Sequence, residues 1–82
     1  MKYKVGDKVK IISLNKALKY PETEKGSASR WVGSQTWESP EMDDLAGTTK
    51  TIAGIFHNHY YMKDDDWAWS EEMIAKLIKS KP

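Results

Sequence analysis

Apolar and polar residues alternate over residues 8–12, with Val9 and Ile11 on one side and Lys8, Lys10 and Ile12 on the other, directly after a Gly6-Asp7 pair suited to a turn. This period of two predicts a half-buried first strand. Leu14 and Leu18 then stand four apart, a helical spacing, but Pro21 closes the segment, so at most a turn or two of helix is expected over residues 14–20. From Glu22 to Pro40 the pattern fades into Gly, Ser, Thr and Glu, with Trp31, Val32 and Trp37 as the strongly apolar residues. A long, irregular excursion over residues 22–40 is expected, containing one short strand around Arg30–Val32, because loops of this length in a small domain are usually functional or mobile.

The pattern returns at residues 42–47, which read as a tight turn leading into a strand over residues 48–56. Ile52 and Ile55 are three apart and cannot share a face under strict alternation; Gly54 between them permits a β-bulge that restores the register. His57-Asn58-His59 reads as a hairpin turn, residues 60–63 as the returning strand, Asp64–Asp66 as a solvated acidic turn and residues 67–69 as a last short strand. Ser70 as N-cap, Glu71 and Glu72 in the first turn, lysines at 76, 79 and 81 and an apolar stripe of Met73, Ile74, Leu77 and Ile78 predict a short C-terminal helix over residues 70–79. Val9, Ile11, Ile52, Ile55, Met62 and Leu77 are the expected core.

Composition narrows the class. An 82-residue chain without cysteine has room for one domain, here residues 1–82, stabilised by packing alone. Lys2 and Lys4 are followed by no long apolar run, so neither a signal peptide nor a membrane span is expected and the setting is cytoplasmic. Net charge is +1, but residues 1–20 carry six lysines against Asp7 while the remainder carries seven basic and eleven acidic groups. In a barrel the first strand lies beside later ones, so its lysines are expected to meet the Asp64–Asp66 and Glu71–Glu72 clusters.

Candidate chemistry is sparse. His57 and His59 with the Asp64–Asp66 turn have a spacing a zinc site could use, yet nothing supplies a supporting shell, and the calcium-loop pattern is absent, so no metal or other cofactor is expected. Glu38, Glu41 and Asp43 read as surface charges, no Gly-x-Ser-x-Gly elbow or Gly-rich phosphate loop occurs, and an enzyme is not expected. The aromatics carry the functional reading. Tyr60 and Tyr61 are adjacent on a strand and face opposite ways, so one of them turns outward. Arg30, Trp31, Trp37, Tyr60, Tyr61 and Trp67 are the candidate partner-binding residues, being of the types that dominate interfaces.

The runs KVGDKVKI, Leu45-Ala46-Gly47, Thr51-Ile52, Tyr60-Tyr61 and Trp67-x-Trp69-Ser70-Glu71-Glu72-Met73-Ile74 together resemble a group of small, mostly uncharacterised SH3-like barrel proteins of bacteriophages and prophages of Gram-positive bacteria, over residues 2–14 and 42–74. Lys50, in place of a second apolar strand residue, and the Trp-containing middle segment depart from that pattern. The resemblance implies a mainly β fold, an SH3-like barrel with a long loop excursion, and a phage origin, and it carries no active site. The resulting expectation is a non-enzymatic interaction module that binds a protein partner and inhibits or redirects a host factor. The alternatives are a KOW-like nucleic-acid module using Lys2, Lys4, Lys8, Lys10 and Arg30 against phosphates, and a structural component of a phage particle.

Overall fold

The computed structural model describes residues 2–82. The first strand forms as its period predicts: β1 (Lys8–Ile11) buries Val9 and Ile11 and exposes Lys8 and Lys10. Ser13 then caps α1 (Leu14–Ala17), its side chain accepting from the Lys16 amide at 3.2 Å, and the helix ends after one turn. The remaining elements are β2 (Ser29–Val32), β3 (Gln35–Glu38), a 3₁₀ turn at Met42–Leu45, β4 (Thr49–Phe56), β5 (His59–Met62), β6 (Ala68–Trp69), a second 3₁₀ turn at Glu71–Met73 and β7 (Ile74–Lys79). The fold is mainly β. Five strands make an antiparallel sheet in the order β6-β5-β4-β1-β7, while β2 and β3 pair as a separate two-stranded sheet.

Turn chemistry sets the two hairpins. His57 and Asn58 both take positive φ, 52° and 63°, the two-residue type I′ geometry whose twist suits flanking strands, so the turn is two residues long and His59 already belongs to β5. In the β2–β3 hairpin Gly33 holds φ at 67°, and a Cβ there would run into the Glu72 side chain. That close approach docks the hairpin on the 3₁₀ turn after β6, and the Ser70 hydroxyl secures it by donating to the Val32 carbonyl at 2.5 Å. The expected irregular excursion is therefore more ordered than its composition suggests, with an antiparallel pair at its centre.

The expected bulge is present: the β4–β5 register shifts between Ile52 and Gly54, which places Ile52 opposite Met62 and Ile55 opposite Tyr60. One apolar cluster fills the core, including Val9, Ile11, Ile52, Tyr60, Met62 and Trp69 from the large sheet, Val32 and Trp37 from the hairpin, and Met42 and Met73 from the two 3₁₀ turns. Two expected core residues lie outside it. Ile55 is 37% exposed near the hairpin end and Leu77 is 41% exposed on the edge strand β7, which among the described residues pairs with β1 alone.

The helix expected over residues 70–79 is replaced by one 3₁₀ turn and then β7. Ser70 adopts the extended cap conformation, but its hydroxyl serves Val32 and makes no cap bond. Beyond the turn, Ile74–Lys79 lies along β1. A bare β1 edge would leave a row of unpaired backbone groups, and several ladder bonds of about 1 kcal/mol each outweigh helix propensities that differ by a few tenths per residue.

The expected pairing of early lysines with late acids is seen at Lys2, whose amide donates to Glu71 Oε1 at 2.8 Å and whose charge also helps hold the Glu71 carboxyl below its ordinary range, but not along β1. Lys8 and Lys10 face Lys79 and Lys76 across the β1–β7 ladder. The one side-chain ion pair among the described residues joins Lys50 Nζ to Asp65 Oδ2 at 3.0 Å, both side chains nearly buried. Asp65 also accepts from the Trp67 amide and the Trp69 indole through Oδ1, at 2.9 and 3.1 Å, so this part of the acidic turn is a structural anchor and not solvated. It explains the lysine in an otherwise apolar strand position. No helix among the described residues is long and apolar enough to cross a membrane.

Candidate functional site: an acidic cleft between two sheet edges

β3 is paired with β2 on one side and β6 with β5 on one side; no pairing joins β3 to β6 among the described residues. Between them lies an open cleft of about 430 Å³ lined by Gln35, Thr36, Glu38, Glu41, Asp66, Trp67 and Ala68. Three of the seven lining residues are carboxylates and none is basic. The Ser29 hydroxyl donates to Glu38 Oε1 at 2.6 Å, and this bond, followed by one from Thr36, holds the Glu38 carboxyl below its ordinary range, so it is charged at neutral pH.

The outer edge of β3 has donors with weak or local partners. The Thr36 amide donates to the neighbouring Gln35 side-chain oxygen at 3.0 Å, and the Glu38 amide donates to the Met42 thioether at 3.1 Å. Sulfur is a poor acceptor beside a carbonyl. An incoming backbone carbonyl would satisfy these amides better than their present partners do.

The six candidate partner-binding residues are dispersed. Trp67 lines the cleft. Trp37 is fully buried, edge-on to Trp69 with ring centroids 5.9 Å apart, and its indole donates to Asp43 at 2.8 Å. Tyr60 is also fully buried: its hydroxyl accepts from the Tyr3 amide at 3.0 Å and donates to Glu71 at 2.9 Å. Both are core residues in this conformation, because each supplies a large ring and a satisfied polar tip. Arg30 is half-buried and donates to the Tyr20 carbonyl at 2.8 Å, a structural strap across the excursion. Trp31 is 47% exposed, and Tyr61 is half-buried on the side of β5 opposite Tyr60.

Glu38, Glu41 and Asp66 are legible in the sequence as charges but not as neighbours, since the hairpin must dock before they converge. His59 Nε2 lies 3.2 Å from Ser34 Oγ, a contact between hairpin turn and sheet, and no three His, Asp or Glu side chains among the described residues come together as a metal site would require. Comparison with family models, curated proteins and solved structures yields no match.

Proposed function

We propose that this chain is a non-enzymatic interaction module on an SH3-like plan, which takes an extended, basic segment of a protein partner into the cleft between β3 and β6. The observation that carries the reading is the coincidence of two unpaired strand edges with an acidic, tryptophan-bearing gap between them. An extended peptide adding to the β3 edge would replace the Gln35 and Met42 contacts with ladder hydrogen bonds, the β-augmentation mode of recognition. Its Lys or Arg side chains would meet Glu38, Glu41 and Asp66, and the Trp67 ring offers a cation a π-face. Affinity comes from the backbone ladder, and specificity from the sign of the charge.

Titration of the protein with an octapeptide alternating Lys and Val, followed by tryptophan fluorescence and calorimetry, tests this. A Glu38→Gln/Glu41→Gln variant is expected to bind about tenfold more weakly, since two partly exposed pairs contribute up to about 1 kcal/mol each. Equal affinity for a Glu/Val peptide of the same length, or no change in the double variant, would overturn the proposal.

A further inference from the structure

We infer that the outward face of the five-stranded sheet is a second binding surface, separate from the peptide cleft, and that its occupant is single-stranded nucleic acid. The five strands of this sheet contain no Asp or Glu. Lys8 is directly opposite Lys79 and Lys10 directly opposite Lys76, so four lysines form two like-charged cross-strand pairs, all of them exposed. Like charges facing each other across a ladder destabilise it, so the fold itself gains nothing from this arrangement. An external polyanion would relieve it.

The backbone re-aims the chain to build this array. Lys76 and Lys79 are three apart, and strict alternation would send them to opposite faces. The β1–β7 register shifts twice, between Lys8 and Val9 and between Lys10 and Ile11, which brings both lysines to the Lys8/Lys10 side while Ile74 and Leu77 stand opposite Ile11 and Val9. Bulges that re-aim side chains are a usual feature of working surfaces.

The same face carries stacking groups, which favours bases over a peptide or a phospholipid headgroup. Tyr61 lies opposite Gly54 on one side and Ala68 on the other, so no bulky cross-strand neighbour stands beside its ring. Two positions along β5, His59 lies opposite Phe56, which is 53% exposed and stacks on His57 with centroids 4.1 Å apart. Lysines at one end and the half-buried Tyr61 with the exposed Phe56 at the other match the way sequence-tolerant single-strand binders hold phosphates and bases together.

The test is fluorescence anisotropy with labelled oligo-dT and oligo-rU of about 20 nucleotides, a length chosen to exceed one small domain's site. Four phosphate contacts predict a slope of about −3 in log affinity against log salt, a loss of roughly 50-fold from 50 to 200 mM. Lys76→Glu/Lys79→Glu cancels the charge of the face while creating opposite-charge pairs with Lys10 and Lys8, so its melting temperature is expected to hold or rise as binding falls at least tenfold and the slope flattens. Tyr61→Ala is expected to weaken binding about fivefold or more with the slope unchanged. The inference is overturned by absence of binding at 50 mM salt, by tighter binding to duplex DNA or to phosphatidylserine vesicles than to either oligonucleotide, or by an equal loss in Lys16→Glu/Lys19→Glu, which places the same charge change beside α1.

Discussion

Replacing Trp37 by alanine should come close to unfolding this protein, whereas the same change at Trp31 should scarcely be felt. Trp37 is fully buried and lies edge-on to Trp69, and its indole donates to Asp43 in the first 3₁₀ turn, which also accepts from the Ser39 hydroxyl ahead of that turn. Truncation removes about 200 Å² of buried ring, worth about 5 kcal/mol at 25 cal/mol/Å², in line with the 3–5 kcal/mol usual for Trp→Ala in a core. Loss of the indole donor adds about 1 kcal/mol. A chain of 82 residues has roughly 4–12 kcal/mol of stability in total, so most of it is removed. At roughly 4–8 °C per kcal/mol the melting temperature should fall by more than about 15 °C, or no transition should remain. Trp31, 47% exposed, should cost about 0.5–1 kcal/mol. Thermal and urea melts followed by far-UV circular dichroism give both numbers. Similar losses in the two variants, or a Trp37→Ala protein melting within a few degrees of the parent, would show that the hairpin does not dock by this ring.

Lys50→Met should cost about 3–5 kcal/mol in urea denaturation, because it strands the Asp65 carboxylate among buried atoms, and Lys50→Met/Asp65→Asn, which removes the charge but keeps an oxygen for the Trp67 amide and the Trp69 indole, should recover much of the loss; a double variant as weak as the single one counts against the ion-pair reading. Tyr60→Phe keeps the ring and removes the hydroxyl shared by the Tyr3 amide and Glu71, with an expected cost of about 1–3 kcal/mol, and an unchanged melt would mean that these bonds are replaced by water. Asp7, held by the Lys4 and Lys81 amides, and Glu71, held first by the Lys2 amide and then by the Tyr60 hydroxyl, both titrate below their ordinary values of 3.8 and 4.5. The unfolded chain therefore takes up these protons first, so this contribution is intact above about pH 5 and is lost as pH falls from those ordinary values down through the lower values of the folded state. Asp7→Asn should flatten the fall of melting temperature between about pH 5 and 3, and an unaltered profile would exclude it as a source of acid lability.

Where local chemistry decides structure, the sequence was sufficient. The period of β1, the Gly54 bulge and the position of the His57-Asn58 turn all depend on residues within a few positions of one another. The C-terminal segment shows the opposite case. Ser70-Glu71-Glu72-Met73 carries a true helix-start signal and begins a 3₁₀ turn, but the conformation of Ile74–Lys79 is decided by the unpaired edge of β1, more than sixty residues away in sequence. Leu77 and Ile78 satisfy a helical stripe and an edge strand equally well, and no periodicity over six residues separates the two.

The charges obey the same division and explain why the site was harder to read than the fold. Summed along the chain they nearly cancel, which points to lysines of the first strand neutralised by later acids. The topology segregates them instead: β7 returns with lysines that face those of β1, and the hairpin docks so that Glu38 and Glu41 meet Asp66. Both groupings depend on long-range events, the pairing of β7 and the seating of Trp37 with the Ser70–Val32 bond. Two surfaces of opposite sign on so small a chain also constrain each other. A basic peptide is steered to the cleft and away from the sheet face, and a polyanion the reverse, so each surface rejects the other's ligand through like-charge repulsion. Neutralising the cleft carboxylates should therefore leave oligonucleotide affinity equal or higher, and removing the β7 lysines should leave peptide affinity equal or higher. A loss of both activities in either variant would mean that cleft and sheet face form one site.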